Sequence, residues 1–320
     1  MENILEIKNL HTYFFSDEAQ VKAVENLNLK VKKGEVLALV GESACGKSVS
    51  AYSVMGLIDS PGKIVKGEII FKGQDLLKLP KKKMQAIRGQ DISLVFQEPG
   101  SSLNPLYTIG LQIDEMIRAH NKTASKEDRG KRILELLNKV GISNPQSRIK
   151  DYPYNFSGGQ AQRIMIAMAL SCEPKLLIAD EPTTSLDVTI QAQIMNLFMR
   201  LRQELDFTLI LITHNLALCS EVADRVAIMY AGRIVEEALI EEIFKNPLHP
   251  YTKALFASIP QAESKKARLK VIKGAVADPS AKPSGCHFHP RCPLAKNRCK
   301  VNYPEYREIS PGHSLSCFEI

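Results

Sequence analysis

A chain of 320 residues is long enough for one large domain with an appendage or for roughly two domains. Its 44% hydrophobic and 24% charged residues are the balance of an ordinary globular protein, which excludes disordered and fibrous classes. The net charge of +7 comes with only short basic runs, Lys81-Lys82-Lys83 and Lys265-Lys266, and no aromatic-interleaved basic stripe, so nucleic acid is not expected as a partner.

No apolar run approaches the ~20 residues that span a bilayer. Met1-Glu2-Asn3 leads straight into the alternating Leu5-Glu6-Ile7-Lys8 without a signal-peptide pattern, so the expectation is a cytosolic chain that meets a membrane only through a partner. Residues 4–40 read as β-rich, with alternation at Leu5/Ile7 and at Val24, Leu27, Leu29 and Val31, broken by a polar Ser16-Asp17-Glu18 turn. The aromatic run Tyr13-Phe14-Phe15 suits a strand core, and one of its rings could stack on a base.

Val36 to Val40 is wholly apolar and flows into Gly41-Glu42-Ser43-Ala44-Cys45-Gly46-Lys47-Ser48, followed by a helix-compatible stretch from Val49 to Met55. That succession predicts a strand, a phosphate-cradling loop and a helix start. Gly41 and Gly46 allow the backbone to turn consecutive N–H groups toward a polyphosphate, and the helix adds its positive end. Lys47 is placed to reach the β- and γ-phosphates, and the Ser48 hydroxyl to ligate Mg²⁺. Residues 64–73 predict a further strand ending at Gly73.

Ile92 to Phe96 predicts a buried strand with Gln97 at its C-terminal end, where open α/β sheets present ligand contacts. Residues 101–156 carry helical periodicity and no strand signal, as a helical insertion would. Ser157 then caps a helix whose first positions are Gly158 and Gly159, followed by Gln160, which leaves N–H groups uncovered for an anion. The apolar Leu176 to Ala179 ends in Asp180 and Glu181, a pair suited to holding Mg²⁺ and polarising an attacking water. Ser185-Leu186-Asp187 opens a helix with apolar residues at Ile190, Ile194, Leu197, Leu201 and Leu205, and Leu209 to Thr213 is a last buried strand ending at His214.

Seven cysteines in a cytosolic chain argue against disulfides, yet Cys286, Cys292, Cys299 and Cys317 cluster at the end. Residues 261–284 read as a linker, and the segment after them is too short for a core of its own, so a metal staple is expected. The spacing lacks the close cysteine pairs of structural zinc and leaves zinc and iron–sulfur both open, with His287, His289 and His313 as spare ligands or nearby surface groups.

Taken in order, these motifs resemble the nucleotide-binding subunit of ABC transporters: Walker A at Gly41 to Ser48, the Q-loop at Gln97, the signature at Phe156 to Gln160, Walker B ending in Asp180 and Glu181, the D-loop at Ser185 to Asp187 and the switch histidine His214. Phe96-Gln97-Glu98-Pro99, Asp180-Glu181-Pro182-Thr183-Thr184, His249-Pro250-Tyr251-Thr252 and Gly285-Cys286-His287-Phe288-His289-Pro290-Arg291-Cys292-Pro293 are similar to the dipeptide/oligopeptide importer ATPases. The sequence departs from that pattern at Ala44 and Cys45, at Phe156 and at Ala161.

The resemblance implies an α/β fold: a RecA-like P-loop NTPase, here an ABC nucleotide-binding domain over residues 1–240 with an antiparallel β subdomain and a helical insertion at about 100–165, plus a small metal-stapled C-terminal domain over 241–320. It implies ATP on Phe14, with Tyr13 as the alternative ring, and on Gly41 through Val49, Gln97, Ser157 to Gln160 and Asp187. It implies Mg²⁺ on Ser48, Gln97 and Asp180, catalysis by Lys47, Gln97, Glu181 and His214, and a [4Fe-4S] cluster on the four cysteines, with Zn²⁺ as the alternative. The implied partners are a paralogous ATPase subunit in a head-to-tail heterodimer, two transmembrane permease subunits and an extracytoplasmic solute-binding protein, at the cytoplasmic face of a bacterial membrane. A nickel or metal-chelate importer would share these motifs. A soluble ABC protein acting on ribosomes or DNA would usually add a second nucleotide domain or a coiled coil, and neither is visible.

Overall fold

The computed structural model describes residues 2–17, 19–184, 186–258 and 272–320. The expected features at Glu18, Ser185, Lys265-Lys266 and the first part of the linker lie outside the described residues. The chain groups into two units, residues 1–77 together with 213–320, and residues 78–212.

In the first unit, alternating apolar residues build an antiparallel sheet in the order Gln20–Lys32, Asn3–Phe15, Gly62–Phe71 and Gln74–Asp75. Ile7 lies between Leu29 and Ile69 in register, and Leu5, Leu10, Leu27 and Val31 are fully buried. The strand predicted over 64–73 therefore starts two residues earlier and gives way to a hairpin at Lys72 and Gly73, both at positive φ. Thr12 faces the Lys47–Met55 helix, its hydroxyl 2.8 Å from that of Ser53.

A second run of strands in this unit is ordered Arg307–Ser310, His313–Leu315, Arg233–Leu239, Arg225–Tyr230 and Val36–Val40. Val36–Val40 is parallel to Arg225–Tyr230, with Ala38 opposite Val226, and every residue of both is buried. Such strands read as unbroken apolar runs because both faces are covered. The C-terminal segment does not stand alone: Leu315 pairs opposite Glu236, and the Ser316 N–H donates to Val235 O. It obtains its core by extending a neighbouring sheet.

Glu236 anchors this edge. Its carboxylate is fully buried and accepts from the N–H groups of Leu248 and His249, with His313 Nε2 at 2.8 Å. Arg225 is likewise inside, its guanidinium shared between Glu35, Glu237 and the Lys30 carbonyl. Charges this deep persist because each has partners on several sides.

In the second unit, Ile92–Val95, Leu176–Asp180 and Thr208–Thr213 run parallel, with Ile92 opposite Leu176 and Ala179 opposite Leu211. The helical insertion is present as Ile109–His120, Lys126–Lys139 and Pro145–Arg148. Thr108 and Ser125 cap the two longer helices by accepting from Leu111 N–H and Asp128 N–H. Among the described residues no helix is long and apolar enough to cross a membrane.

His249 supplies a test of how tightly the C-terminal part is packed. It is buried and its Nδ1 accepts from the Tyr251 N–H, and burial pushes its pKa down to about 3 from an ordinary 6.5. The unfolded chain therefore binds a proton that the folded chain refuses, so stability is full above pH 6.5 and falls as pH drops toward 3. His249→Asn keeps an acceptor for Tyr251 and does not titrate; its melting temperature should fall less steeply than the wild type's between pH 6.5 and 5.

Candidate active site

Five buried residues of Val36–Val40 deliver the chain to Gly41 with no side chain to spare. A Cβ on Gly41 would lie 2.3 Å from Met229 O and 2.6 Å from Cys45 Sγ, and one on Gly46 would lie 2.5 Å from Ala23 O. Gly46 also takes φ 106° at the start of the Lys47–Met55 helix. The loop is thus pressed against neighbouring backbone at both glycines, and only glycine fits. Between them Ser43 and Ala44 are exposed, Cys45 is buried and Glu42 is half-buried, as are Ser48 and Val49 beyond Gly46. Ala44 carries the left-handed φ of 62° where a glycine would be unstrained. Cys45 is buried, which raises its thiol pKa, and its sulfur lies within the loop 3.9 Å from Lys47 Nζ. Lys47 folds over the loop, its Nζ donating to Gly41 O at 2.9 Å and Glu42 O at 3.1 Å. Lys47 thus holds its ammonium against the Gly41 and Glu42 carbonyls of the loop, a cation at the start of the helix where an anion is favoured.

Phe14 shares its strand face with Thr12, the residue that meets the helix behind this loop, and its ring crowds Gly62. Tyr13 is committed elsewhere, its hydroxyl 2.9 Å from His11 Nδ1. His214 is exposed in the bend after Thr213, next to Asn215, whose side chain caps the Leu216–Val222 helix by accepting from Ala217 N–H.

In the other unit, Asp180 is fully buried at the end of its strand, and Glu181 follows at φ 45°, a left-handed backbone that a non-glycine residue adopts at a cost of about 1–3 kcal/mol. Two side chains aim the Glu181 carboxylate: Thr184 Oγ1 donates to Oε2 at 2.9 Å and Gln97 Nε2 to the same atom at 3.4 Å. The structure therefore brings the Q-loop and the Walker B carboxylate together. Thr184 escaped the sequence reading because its role depends on a turn back over three residues.

Ser157 caps the Gly158–Ala169 helix in a reciprocal pair with Gln160, whose side chain accepts from the Ser157 N–H at 3.1 Å. Ser157 and Gly158 are exposed. Gly159 has a packing reason as well, since a Cβ there would lie 2.9 Å from Ile190 Cγ2. Asp187 caps the Val188–Leu205 helix, accepting from Ile190 N–H at 2.9 Å.

Among the described residues no group of three or more histidine, cysteine or acidic side chains is arranged to hold a metal ion, so the expected metal staple is not found as a ligand set. The spare ligands are engaged otherwise: His313 on Glu236, His289 Nδ1 on Cys286 O, and His287 against the Tyr303 ring. The four thiols nonetheless share one electrostatic neighbourhood. Burial pushes Cys286 up to about 11, and Cys292, Cys299 and Cys317 each add to that rise. Lys296 N–H donates to Cys299 Sγ and Glu319 N–H to Cys317 Sγ, both at 3.5 Å.

Comparison with known proteins agrees with this geometry. Residues 24–184 match the family model described as ABC transporter, and residues 152–220 overlap an AAA domain described as putative AbiEii toxin, Type IV TA system. A dimeric post-hydrolysis structure of the ATP-binding cassette MJ0796 bound to ADP and Pi aligns with TM-score 0.67 and 29% identity, covering 74% of this chain and 98% of that one. The chain has the fold and motifs of an ABC-type ATPase. Residues 235–299 further match the model described as Oligopeptide/dipeptide transporter, C-terminal region. The oligopeptide transport ATP-binding protein AppD of Bacillus subtilis is 47% identical over 99% of this chain and 97% of its own length. The dipeptide transport ATP-binding proteins DppD of Haemophilus influenzae and Escherichia coli are 48% and 45% identical, over 96% and 98% of this chain and 92% and 96% of theirs. The chain belongs to the oligopeptide/dipeptide family of ABC transporter ATP-binding proteins.

Thr184→Val should remove the shorter of the two bonds to Glu181. ATP hydrolysis by the purified chain is expected to fall by about tenfold or more while the affinity for ATP stays within twofold, as measured by phosphate release beside nucleotide titration.

Proposed function

We propose that this chain is the ATP-hydrolysing subunit that powers import of di- or oligopeptides across a cytoplasmic membrane. The observation that carries the reading is near full-length identity to transport ATP-binding proteins, with the phosphate loop and the Glu181 carboxylate built as hydrolysis requires. The names of these relatives favour peptides over nickel chelates and over a ribosome- or DNA-directed ABC protein.

Loop N–H groups and Lys47 bind the phosphates of ATP, and Phe14 stacks on its adenine. Ser48, Gln97 and Asp180 have the oxygen donors that Mg²⁺ prefers; when bound, the ion neutralises charge on the β- and γ-phosphates. Glu181, oriented by Thr184 and Gln97, takes a proton from the water that attacks the γ-phosphorus as ADP leaves, and His214 contacts the same phosphate. The helix start at Ser157, Gly158 and Gly159, exposed at its first two residues, and Asp187 serve a second ATPase subunit, so two chains close on ATP head to tail. Leu106, Tyr107 and Leu111, all exposed shortly after Gln97, suit the helical insertion to docking on a permease subunit. That assigns residues 1–240 to nucleotide chemistry, residues 241–320 to a family-specific segment, and the protein to the cytoplasmic membrane face with two permeases, a solute-binding protein and a paralogous ATPase.

The four cysteines hold a [4Fe-4S] cluster in this reading, supported by their shared neighbourhood and by the N–H groups directed at sulfur. Anaerobically purified protein should be brown, with thiolate-to-iron absorbance lost on Cys292→Ser; a colourless, zinc-loaded protein would overturn the cluster and favour Zn²⁺.

Glu181→Gln tests the hydrolytic role. It should bind ATP as the wild type does and lose roughly 10²-fold or more in turnover, and near-normal phosphate release would refute the assignment.

A further inference from the structure

Glu42, the first residue after Gly41 in the phosphate loop, is held by a part of the chain that nucleotide chemistry leaves unused. Its carboxylate is gripped by both terminal nitrogens of Arg291, Nη1 to Oε2 at 2.7 Å and Nη2 to Oε1 at 3.0 Å. Its N–H donates to Tyr251 Oη at 3.0 Å, and its carbonyl accepts from Lys47 Nζ. The Arg291 side chain is only 4% exposed. Its Nε donates to Lys273 O at 3.2 Å, and Nη1 also reaches Tyr230 Oη at 3.4 Å. Tyr230, Tyr251 and Phe288 pack ring to ring beside it, at centroid separations of 4.7 to 5.3 Å. Arg291 sits in the short turn His289–Arg291, between Cys286 and Cys292.

We propose that Arg291 is a positioning residue of the phosphate loop, through which the cysteine-bearing C-terminal segment sets the loop's shape and charge for nucleotide binding. The inference rests on the reading of Gly41 to Ser48 as the ATP site. Two effects act together. A planar guanidinium bonded at both nitrogens fixes the carboxylate in direction as well as in place, which an ammonium does not. The same guanidinium also cancels a negative charge that stands in the loop meant to receive a triphosphate. Without Arg291, Glu42 would be free to swing, and its charge would oppose the incoming phosphates.

The charge argument separates this role from simple anchoring of the C-terminal segment. Anchoring predicts that losing either partner lowers thermal stability with no dependence on which charge remains. Positioning predicts that Arg291→Ala harms ATP binding more than the double variant Glu42→Gln with Arg291→Ala, because the double variant leaves no bare carboxylate.

The test is calorimetric titration of MgATP into the purified full-length chain, with melting temperature and kcat and KM for hydrolysis measured on the same preparations. Arg291→Ala should bind MgATP about tenfold to a hundredfold more weakly, with KM rising far more than kcat falls. Arg291→Lys should fall between it and the wild type, and the double variant should regain part of the loss. Wild-type affinity in Arg291→Ala, or a double variant no better than the single one, would overturn the proposal. If Arg291→Ala fails to fold, Arg291→Lys against Glu42→Gln carries the same comparison, equal affinities overturning it. A wild-type chain that does not bind MgATP would instead refute the ATP site itself.

Discussion

A strand buried at every position can place polar chemistry only at its ends, and that constraint organises this protein. Val36–Val40, Leu176–Asp180 and Thr208–Thr213 are buried throughout, so an unpaired charge within them would be costly. Each therefore spends its polarity where it stops: at Gly41 and the phosphate loop, at Asp180 and Glu181, and at His214. The glycines then meet the next requirement. With Met229 O and Ala23 O so near, Gly41 and Gly46 let the loop lie against neighbouring backbone.

The same constraint explains what could be read from the sequence. An all-apolar run followed by a change to glycine, carboxylate or histidine is a local signal, and it marked the strands, their ends and the candidate residues there. The helical insertion was equally legible, since its helices capped by Thr108 and Ser125 carry a local periodicity, as do the helices capped by Ser157 and Asp187 elsewhere. Three features were not legible. The left-handed backbone of Ala44 and Glu181 has no signature in residue type. Thr184 turns back on Glu181 through a loop geometry that propensity does not specify. The C-terminal strands are too short to announce themselves, and they became strands because Arg233–Leu239 offered an edge to pair with. Contacts between distant residues, such as His313 with Glu236, carry no periodicity at all.

Carboxylates hold the C-terminal part at two places, with different results. Glu236 is surrounded by two backbone N–H groups and one imidazole, an arrangement that fixes a strand edge in place. Glu25 instead lies among Arg233, Lys282 and His287, which together hold its carboxyl at about 2, well below the usual range, against the opposing effect of burial. Lys282 comes from the described end of the linker and also bonds the Ala231 carbonyl. Charge thus fastens the C-terminal residues to the first sheet at one place and to the second strand run at another.

The span of chain between Glu42 and its two side-chain partners has a consequence for biosynthesis. Tyr251 and Arg291 lie 209 and 249 residues further along. On the ribosome, the loop and its helix emerge well before the Tyr251 and Arg291 side chains that hold Glu42. A truncated product would carry an intact Gly41-to-Ser48 motif and still lack the guanidinium beside it. In the positioning role proposed for Arg291, the affinity of the loop for nucleotide would then depend on a part of the chain made long after the loop itself.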